Sequence, residues 1–234
     1  NIPQKAKDTQ IFKYPTVERN NLIYAWYHPN GEQPHYDVEH YPEILDPDWG
    51  DEFEKYNYEI KCHIQDMAEN AVDAAHFMYV HGVVSYPEFE VSYEGHKRHF
   101  SQEANMETPR GIVKGKISGS SNGPGDSMTK FEGICDTLLL GSTTPTENEE
   151  VITRFSFLQK KVDGVVPTGG VGSAIIADIN KQVNEDIPVW ENKKYAHKPV
   201  LCDSDGPIAK FRKHYATFYV DYDESKEIEA LNLD

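Results

Sequence analysis

QDMAENAVDAAHFMYVHG, residues 65–82, carries Asp73, His76 and His81 in the order D-x2-H-x4-H within one helix-like segment. Two imidazoles so close in sequence pose the question of a metal. At about 100° per residue, Glu69, Asp73 and His76 share one face of a helix. His81 lies roughly 140° further round from His76, so both rings reach one ion only where the helix ends, tightens or bulges between Phe77 and Val80. The zinc-protease pattern H-E-x-x-H needs no such break and places a glutamate beside its first histidine. Here that glutamate is missing and the spacing differs. Ala68, Ala71, Ala74 and Ala75 keep the segment slim, leaving room for a ligand near the histidines.

Two histidines leave a divalent site incomplete. For oxygen chemistry the completion is one carboxylate, which gives a facial triad on Fe(II) with open positions. Ile175, Ile179, Val183, Asp186 and Trp190 recur at helical spacing and set a carboxylate in an apolar stripe. An unpaired carboxylate there costs several kcal/mol, on the order expected for desolvated ions, and a metal neutralises it. Pro188 removes the hydrogen bond to the Asn184 carbonyl and is expected to kink the helix beside Asp186. The adjacent Glu185 is the competing ligand, turned about 100° away from the stripe.

ENAVDAAHFMYVH with a downstream QVNEDIPVWE resembles the catalytic domain of Rieske-type non-haem iron oxygenases. IPQKAK…YPTVERNNLIYAW at the start and KPVLCDSDGPIAKFRKHYATFYVD near the end resemble the branch holding the oxygenase component of 3-ketosteroid 9α-hydroxylase and the cholesterol 7-desaturases. The resemblance implies iron ligation by His76, His81 and Asp186. It gives Asp73 a catalytic role, linking an iron-ligand histidine to a cluster-ligand histidine of a neighbouring subunit. Glu69 and Asn70 are candidates for supporting the ligands. Also implied are a ring-shaped homotrimer, O2 and a hydrophobic steroid as substrates, and electrons from a ferredoxin or flavoprotein NAD(P)H reductase through a [2Fe–2S] Rieske cluster. The expected outcome is hydroxylation of an unactivated C–H bond, with sterol desaturation as the alternative within the branch. Outside it stand a non-catalytic helix-grip module that carries a sterol and a zinc hydrolase using the same ligands.

The net charge of −16 argues against nucleic acid, whose phosphates call for basic clusters. No apolar run approaches the ~20 residues of a membrane span, and no signal-peptide pattern is present. Cys62, Cys135 and Cys202 are far apart with no C-x-x-C, so neither a disulfide scaffold nor a zinc knuckle is expected and a reducing cytoplasm fits.

Ile11–Val17 and Leu22–Tyr27 read as two strands joined by a turn at Asn20-Asn21. An isolated hairpin is marginal in water. By resemblance residues 1–34 are the closing remnant of a Rieske domain, 35–52 a linker and 53–234 the catalytic domain. The C-x-H and C-x2-H pairs of such a cluster are absent, so the chain is expected to be a fragment, inactive alone.

Further strands are expected at Glu54–Ile64, Phe89–Tyr93, His99–Met106, Gly111–Ser118, Met128–Leu140 and Val151–Lys161. SGSSNGPGDS (118–127) and GSTTPTENEE (141–150) read as polar turns or loops. The glycines of 163–172 lead into the helix carrying Asp186, and a last helix runs from Pro207, at its N1 position, to Asp221. These elements make an α+β protein. The helix-grip (START/Bet v 1-like) topology, an antiparallel sheet around a long C-terminal helix, is implied by the resemblance. Trp190, Met78, Tyr79, Phe89, Phe155 and Phe157 are candidates to line an apolar cavity, and the remaining histidines read as surface or hydrogen-bonded groups.

Overall fold

The computed structural model describes residues 13–82, 90–108, 111–147, 149–196, 198–202 and 205–220. The chain divides into two compact units, Asn1–Pro42 and Glu43–Asp234.

In the first unit β1 (Thr16–Arg19) and β2 (Leu22–Ala25) form an antiparallel hairpin with Arg19 opposite Leu22. Asn20 and Asn21 have φ of 56° and 57°, the two left-handed residues of a type I′ turn, whose twist matches the strands it joins. The Asn20 side chain also works at long range: its Nδ2 donates to the Glu39 carbonyl at 2.7 Å and its Oδ1 accepts from the Tyr41 amide at 3.1 Å. Ile11 and Phe12, expected in the first strand, lie outside the described residues.

The second unit is α+β. Its sheet runs in the order β3 (Glu54–Ile60), β9 (Glu150–Gln159), β8 (Thr137–Glu147), β7 (Asp126–Glu132), β6 (Gly111–Asn122), β5 (Lys97–Thr108) and β4 (Glu90–Glu94), all neighbours antiparallel. β3 and β4 are the two edges. The chain must therefore cross the sheet between them, and that crossing contains the histidine segment. From β4 onward it meanders back to pair β9 with β3.

The crossing is not one helix. It is α1 (Ile64–Glu69), a 3-10 turn (Asn70–Val72), an extended Asp73 and α2 (Ala74–Tyr79). Asp73, at φ −84° and ψ 92°, accepts from the Ala75 and His76 amides through Oδ1. A carboxylate that caps a new helix competes with continuation of the old one. Glu69, Asp73 and His76 consequently do not share a helical face, contrary to the sequence reading.

One strand reading and two loop readings also change. Met128–Leu140 is two strands, β7 and β8, turning at residues 133–136, where Gly133 has φ 142°. The described parts of 118–127 and 141–150 are mostly strand, with a hairpin tip at 123–125 between β6 and β7 and a turn at Glu149 ahead of β9. Gly119 and Gly141 are required by packing rather than by flexibility. A Cβ on Gly119 would lie 2.3 Å from the Met128 carbonyl and 2.5 Å from the Phe100 ring, and one on Gly141 would lie 2.6 Å from Ser127 Oγ. One register row crosses all seven strands: Tyr56, Phe155, Gly141, Ser127, Ser121, Arg98, Tyr93. Its centre is small side chains between large ones, which leaves a trough.

α3 (Val171–Asn192) covers that face, continuous through Pro188. Val183 and Trp190 pack with Ile60, Cys62 and Val151, while Ile176 packs with Leu139 and Phe157. Val183, Asp186 and Trp190 of the expected stripe are buried, but at its start Ile176 takes the buried place and Ile175, one position round, is only half-buried. Burying side chains such as Leu139 and Phe157 contributes roughly 1.5–3 kcal/mol each. α4 (Ile208–Ala216) takes Pro207 as its N-cap, not its N1, and packs Ile208, Phe211 and Tyr215 around Val72. Asp221, the expected helix end, lies outside the described residues. Among the described residues no helix is long and apolar enough to cross a membrane.

Candidate metal centre

His76 is on α2, His81 lies just beyond its end, and Asp186 faces them from α3. One ligand atom from each lies within 4.8 Å of the others. The helix end is what allows it: α2 stops at Tyr79, the Val80 amide closes on the His76 carbonyl at 2.7 Å, and His81 is free to turn back. The two rings stand nearly perpendicular with centroids 5.1 Å apart.

Each donor is aimed by a second group. His76 Nδ1 bonds to the Asp73 carbonyl, an acceptor, so Nδ1 carries the proton and Nε2 keeps its lone pair. His81 Nδ1 lies 3.0 Å from Oε2 of Glu185. The hydrogen bond from His81 holds the Glu185 carboxyl below its usual pKa, so it accepts and His81 Nδ1 donates. Asn70 Nδ2 donates to Asp186 Oδ2 at 3.0 Å, leaving Oδ1 facing His81 Nε2 at 3.2 Å. A lone pair against a carboxylate oxygen repels unless a cation stands between them. Burial lowers the His76 pKa and raises that of Asp186. A divalent ion reverses the penalty on Asp186 and accepts both free nitrogens. The donor set thus fits an N,N,O-bound metal such as Fe(II).

Asp186, not Glu185, is in the cluster; Glu185 holds the outer nitrogen of His81. Asn70 reaches the cluster directly. Glu69 does not: its carboxylate accepts from Arg212 Nε at 2.6 Å and Nη2 at 2.9 Å, and from Lys193 at 3.0 Å. Asp73 stands next to His76 through its carbonyl while its carboxylate caps α2.

The cluster opens on a cavity of about 280 Å³. Its floor is the trough at Ser121, Ser127 and Gly141; α4 contributes Phe211 and His214, and Phe218 follows just beyond the helix end. Trp190 and Phe155 line it as expected. Met78 and Phe157 do not appear in its wall, Tyr79 is exposed, and Phe89 lies outside the described residues. His96, Arg98 and His214 were not anticipated. They come from sequence positions with no motif, and only the strand register and α4 bring them to the cavity.

The family described as the 3-ketosteroid 9alpha-hydroxylase C-terminal domain matches residues 25–219. A cholesterol 7-desaturase of Caenorhabditis elegans is 29% identical, over 94% of this chain and 56% of that protein. An oxygenase component of 3-ketosteroid-9-alpha-monooxygenase from Rhodococcus rhodochrous is 28% identical, over 97% of this chain and 63% of its own length. The chain thus spans about three fifths of the length of these relatives. Among solved structures, NdmA of Pseudomonas putida CBB5 with caffeine (a QL mutant) superposes with a TM-score of 0.66 at 17% identity, over 99% of this chain and 68% of that one. Dicamba monooxygenase bound to dicamba gives 0.61 at 16%, over 93% and 70%. These two share the fold, that of Rieske oxygenase catalytic domains.

Proposed function

The chain belongs to the family of 3-ketosteroid 9alpha-hydroxylase C-terminal domains, and from that footing we propose that it is the mononuclear-iron part of a Rieske oxygenase that oxidises a steroid. The observation that carries the proposal is the meeting of His76, His81 and Asp186 within 4.8 Å, each already oriented by a separate partner. A lipid carrier has no need of such a cluster.

His76, His81 and Asp186 would hold iron, which when bound supplies O2 activation beside the substrate. The rest falls to the chain. The Asp73 carbonyl and Glu185 fix the imidazole tautomers, so both Nε2 atoms face inward. Asn70 ties down Asp186 Oδ2 and leaves Oδ1 for the ion. Apolar side chains such as Phe155 and Phe211 exclude water and favour a large hydrophobic substrate. Desaturation is the second reading, favoured by the resemblance to a cholesterol 7-desaturase.

In the parent protein, residues 1–34 would close a [2Fe–2S] domain, 35–52 link it, and 53–234 form a helix-grip catalytic domain. The type I′ hairpin at Asn20-Asn21 suits such a closing role. Electrons would come from a ferredoxin or flavoprotein reductase through the cluster and cross between subunits of a homotrimer beside Asp73. Metal analysis of the anaerobically purified chain tests the centre: about one iron per chain, absent in Asp186→Ala, is expected. Tight zinc in preference to iron, or no uptake of added Fe(II), sinks the proposal.

A further inference from the structure

Two of the described arginines are buried, Arg212 at 4% and Arg98 at 5% exposure, and their surroundings differ. Arg212 is fully employed, with Glu69 across two hydrogen bonds and the Ala196 carbonyl at 2.7 Å on its third nitrogen. Arg98 has one partner: Nη2 donates to Ser121 Oγ at 2.8 Å. Its Nε and Nη1 are buried, and no hydrogen-bond acceptor among the described residues reaches them. Arg98 lines the same cavity as His76, His81 and Asp186.

The guanidinium is nevertheless held in place. Its Cζ lies 5.9 Å from the Phe100 ring centroid and 6.0 Å from that of Phe211, both within cation–π range. Ser121, its register partner on β6, fixes the third side. Phe100 stands there because Gly119 leaves room for its ring. Among the described residues no carboxylate, Asp126 of the cavity wall included, is ion-paired with Arg98; Tyr93, its register partner on β4, is a phenol that burial keeps neutral, its pKa pushed up to about 12. His214 beside it is kept neutral, its pKa pushed down to about 4 by burial, Arg98 and His96. The cavity therefore contains a positioned cation whose counter-charge and two of whose acceptors are not supplied by the described residues. A neutral oxygen would satisfy one donor and leave the charge buried. An anion satisfies both.

We propose that Arg98 is a specificity-determining residue that binds a carboxylate on the substrate, so that the cavity takes a large apolar molecule with an anionic end. This rests on the reading of the cavity as the steroid-binding site, which makes the predicted ligand a steroid carboxylate.

Calorimetric titration of the chain in chelator, which prevents a carboxylate from simply ligating a metal, tests it. The probes are a cholanoate, whose side chain ends in a carboxylate, its methyl ester, and dodecanoate. The wild-type chain is expected to bind the cholanoate at least about tenfold tighter than the ester. Arg98→Met should erase the preference and Arg98→Lys, which keeps the charge, should retain part of it; circular dichroism reports whether each variant is folded. Equal wild-type affinity for acid and ester overturns the proposal, as does a preference that survives in Arg98→Met. Should dodecanoate bind in an Arg98-dependent way while neither steroid binds, the anionic anchor stands and the steroid reading falls. Binding of no probe at all overturns the anchor.

Discussion

Glu185 Oε2 and His81 Nδ1 lie 3.0 Å apart, so the acidic residue next to the candidate ligand Asp186 grips the far side of a candidate ligand histidine. Consecutive residues of α3 thus hold opposite edges of one imidazole, Asp186 at Nε2 and Glu185 at Nδ1. Outer partners of this kind typically contribute 10–100-fold in metal affinity. Glu185→Gln is expected to weaken Fe(II) binding by about that factor, and Asp186→Ala to abolish it. Competition against a fluorescent chelator measures both. Full occupancy in Asp186→Ala together with loss in Glu185→Ala would reverse the assignment.

Asp73 has two separable duties, and a conservative replacement distinguishes them. Asp73→Ala removes the cap of α2, at a cost of about 1 kcal/mol, and loosens the segment that aims His76. Asp73→Asn keeps an oxygen for the Ala75 and His76 amides. Iron content is expected to fall in Ala and hold in Asn. In the full-length parent, coupled turnover should collapse in both variants if the carboxylate takes part in electron transfer. Normal turnover in Asn would reduce Asp73 to a cap.

The Glu69–Arg212 pair is buried on both sides. Burial alone would raise the Glu69 pKa, but the Arg212 hydrogen bonds and the charges of Lys193 and Arg212 outweigh it and hold the carboxyl below its usual value. Its stabilising contribution is accordingly present above the unfolded carboxylate pKa and lost as pH falls through the folded one. Glu69→Ala leaves Arg212 buried and unpaired, costing roughly 3–5 kcal/mol, or about 6–20 °C in Tm. The double replacement Glu69→Leu, Arg212→Met should recover much of that in a thermal melt. A near-neutral single mutant would show that solvent reaches the pair.

Gly125 is at φ +81°, and a Cβ there would lie 2.2 Å from the Thr143 carbonyl. Gly164 has a similar φ of +78° with nothing within 4 Å. Gly164→Ala should therefore cost only the conformational penalty, roughly 1–2 kcal/mol. Gly125→Ala should cost more than about 3 kcal/mol, because the β6–β7 tip must move. Comparable unfolding midpoints for the two would show that this tip yields easily.

His214 has a folded pKa near 4 against an ordinary 6.5, set first by burial and then by Arg98 and His96. The unfolded chain therefore takes up the proton first. Stability from this group is full above about pH 6.5 and drains away as pH falls towards 4, by up to about 3 kcal/mol. Relief of repulsion in a chain of net charge −16 opposes the trend, so the measurement is a difference. His214→Asn should flatten the urea-unfolding free energy between pH 7 and pH 4.5 relative to wild type. Parallel profiles would exclude the role.

The candidate ligands were legible because D-x2-H-x4-H and the Asp186 stripe are local patterns, and the stripe gave the register between Glu185 and Asp186. The break at Asp73 was not, since a capping aspartate and a mid-helix aspartate look alike until the Ala75 and His76 amides are placed. Residues 118–127 and 141–150 look like loops by their Gly, Ser, Thr and Pro content. Their described parts are mostly strand, and the small residues are there because Phe100 and the Met128 carbonyl crowd Gly119 and Ser127 Oγ crowds Gly141. Arg98 was invisible: a basic residue in K-R-H-F reads as a solvent-facing strand position, and only pairing with Ser121 and the arrival of Phe211 bury it.

Glu69 and Asn70 are neighbours in the chain, yet one is clamped to α4 through Arg212 and the other to α3 through Asp186. The site is therefore not a portable motif. Grafting its histidine segment onto an unbroken helix of another scaffold would carry the letters and leave behind the 3-10 turn, the capped Asp73 and the two anchoring helices. What is transferable is the joint between helices, and a designer would have to copy that whole joint to obtain the same three donors.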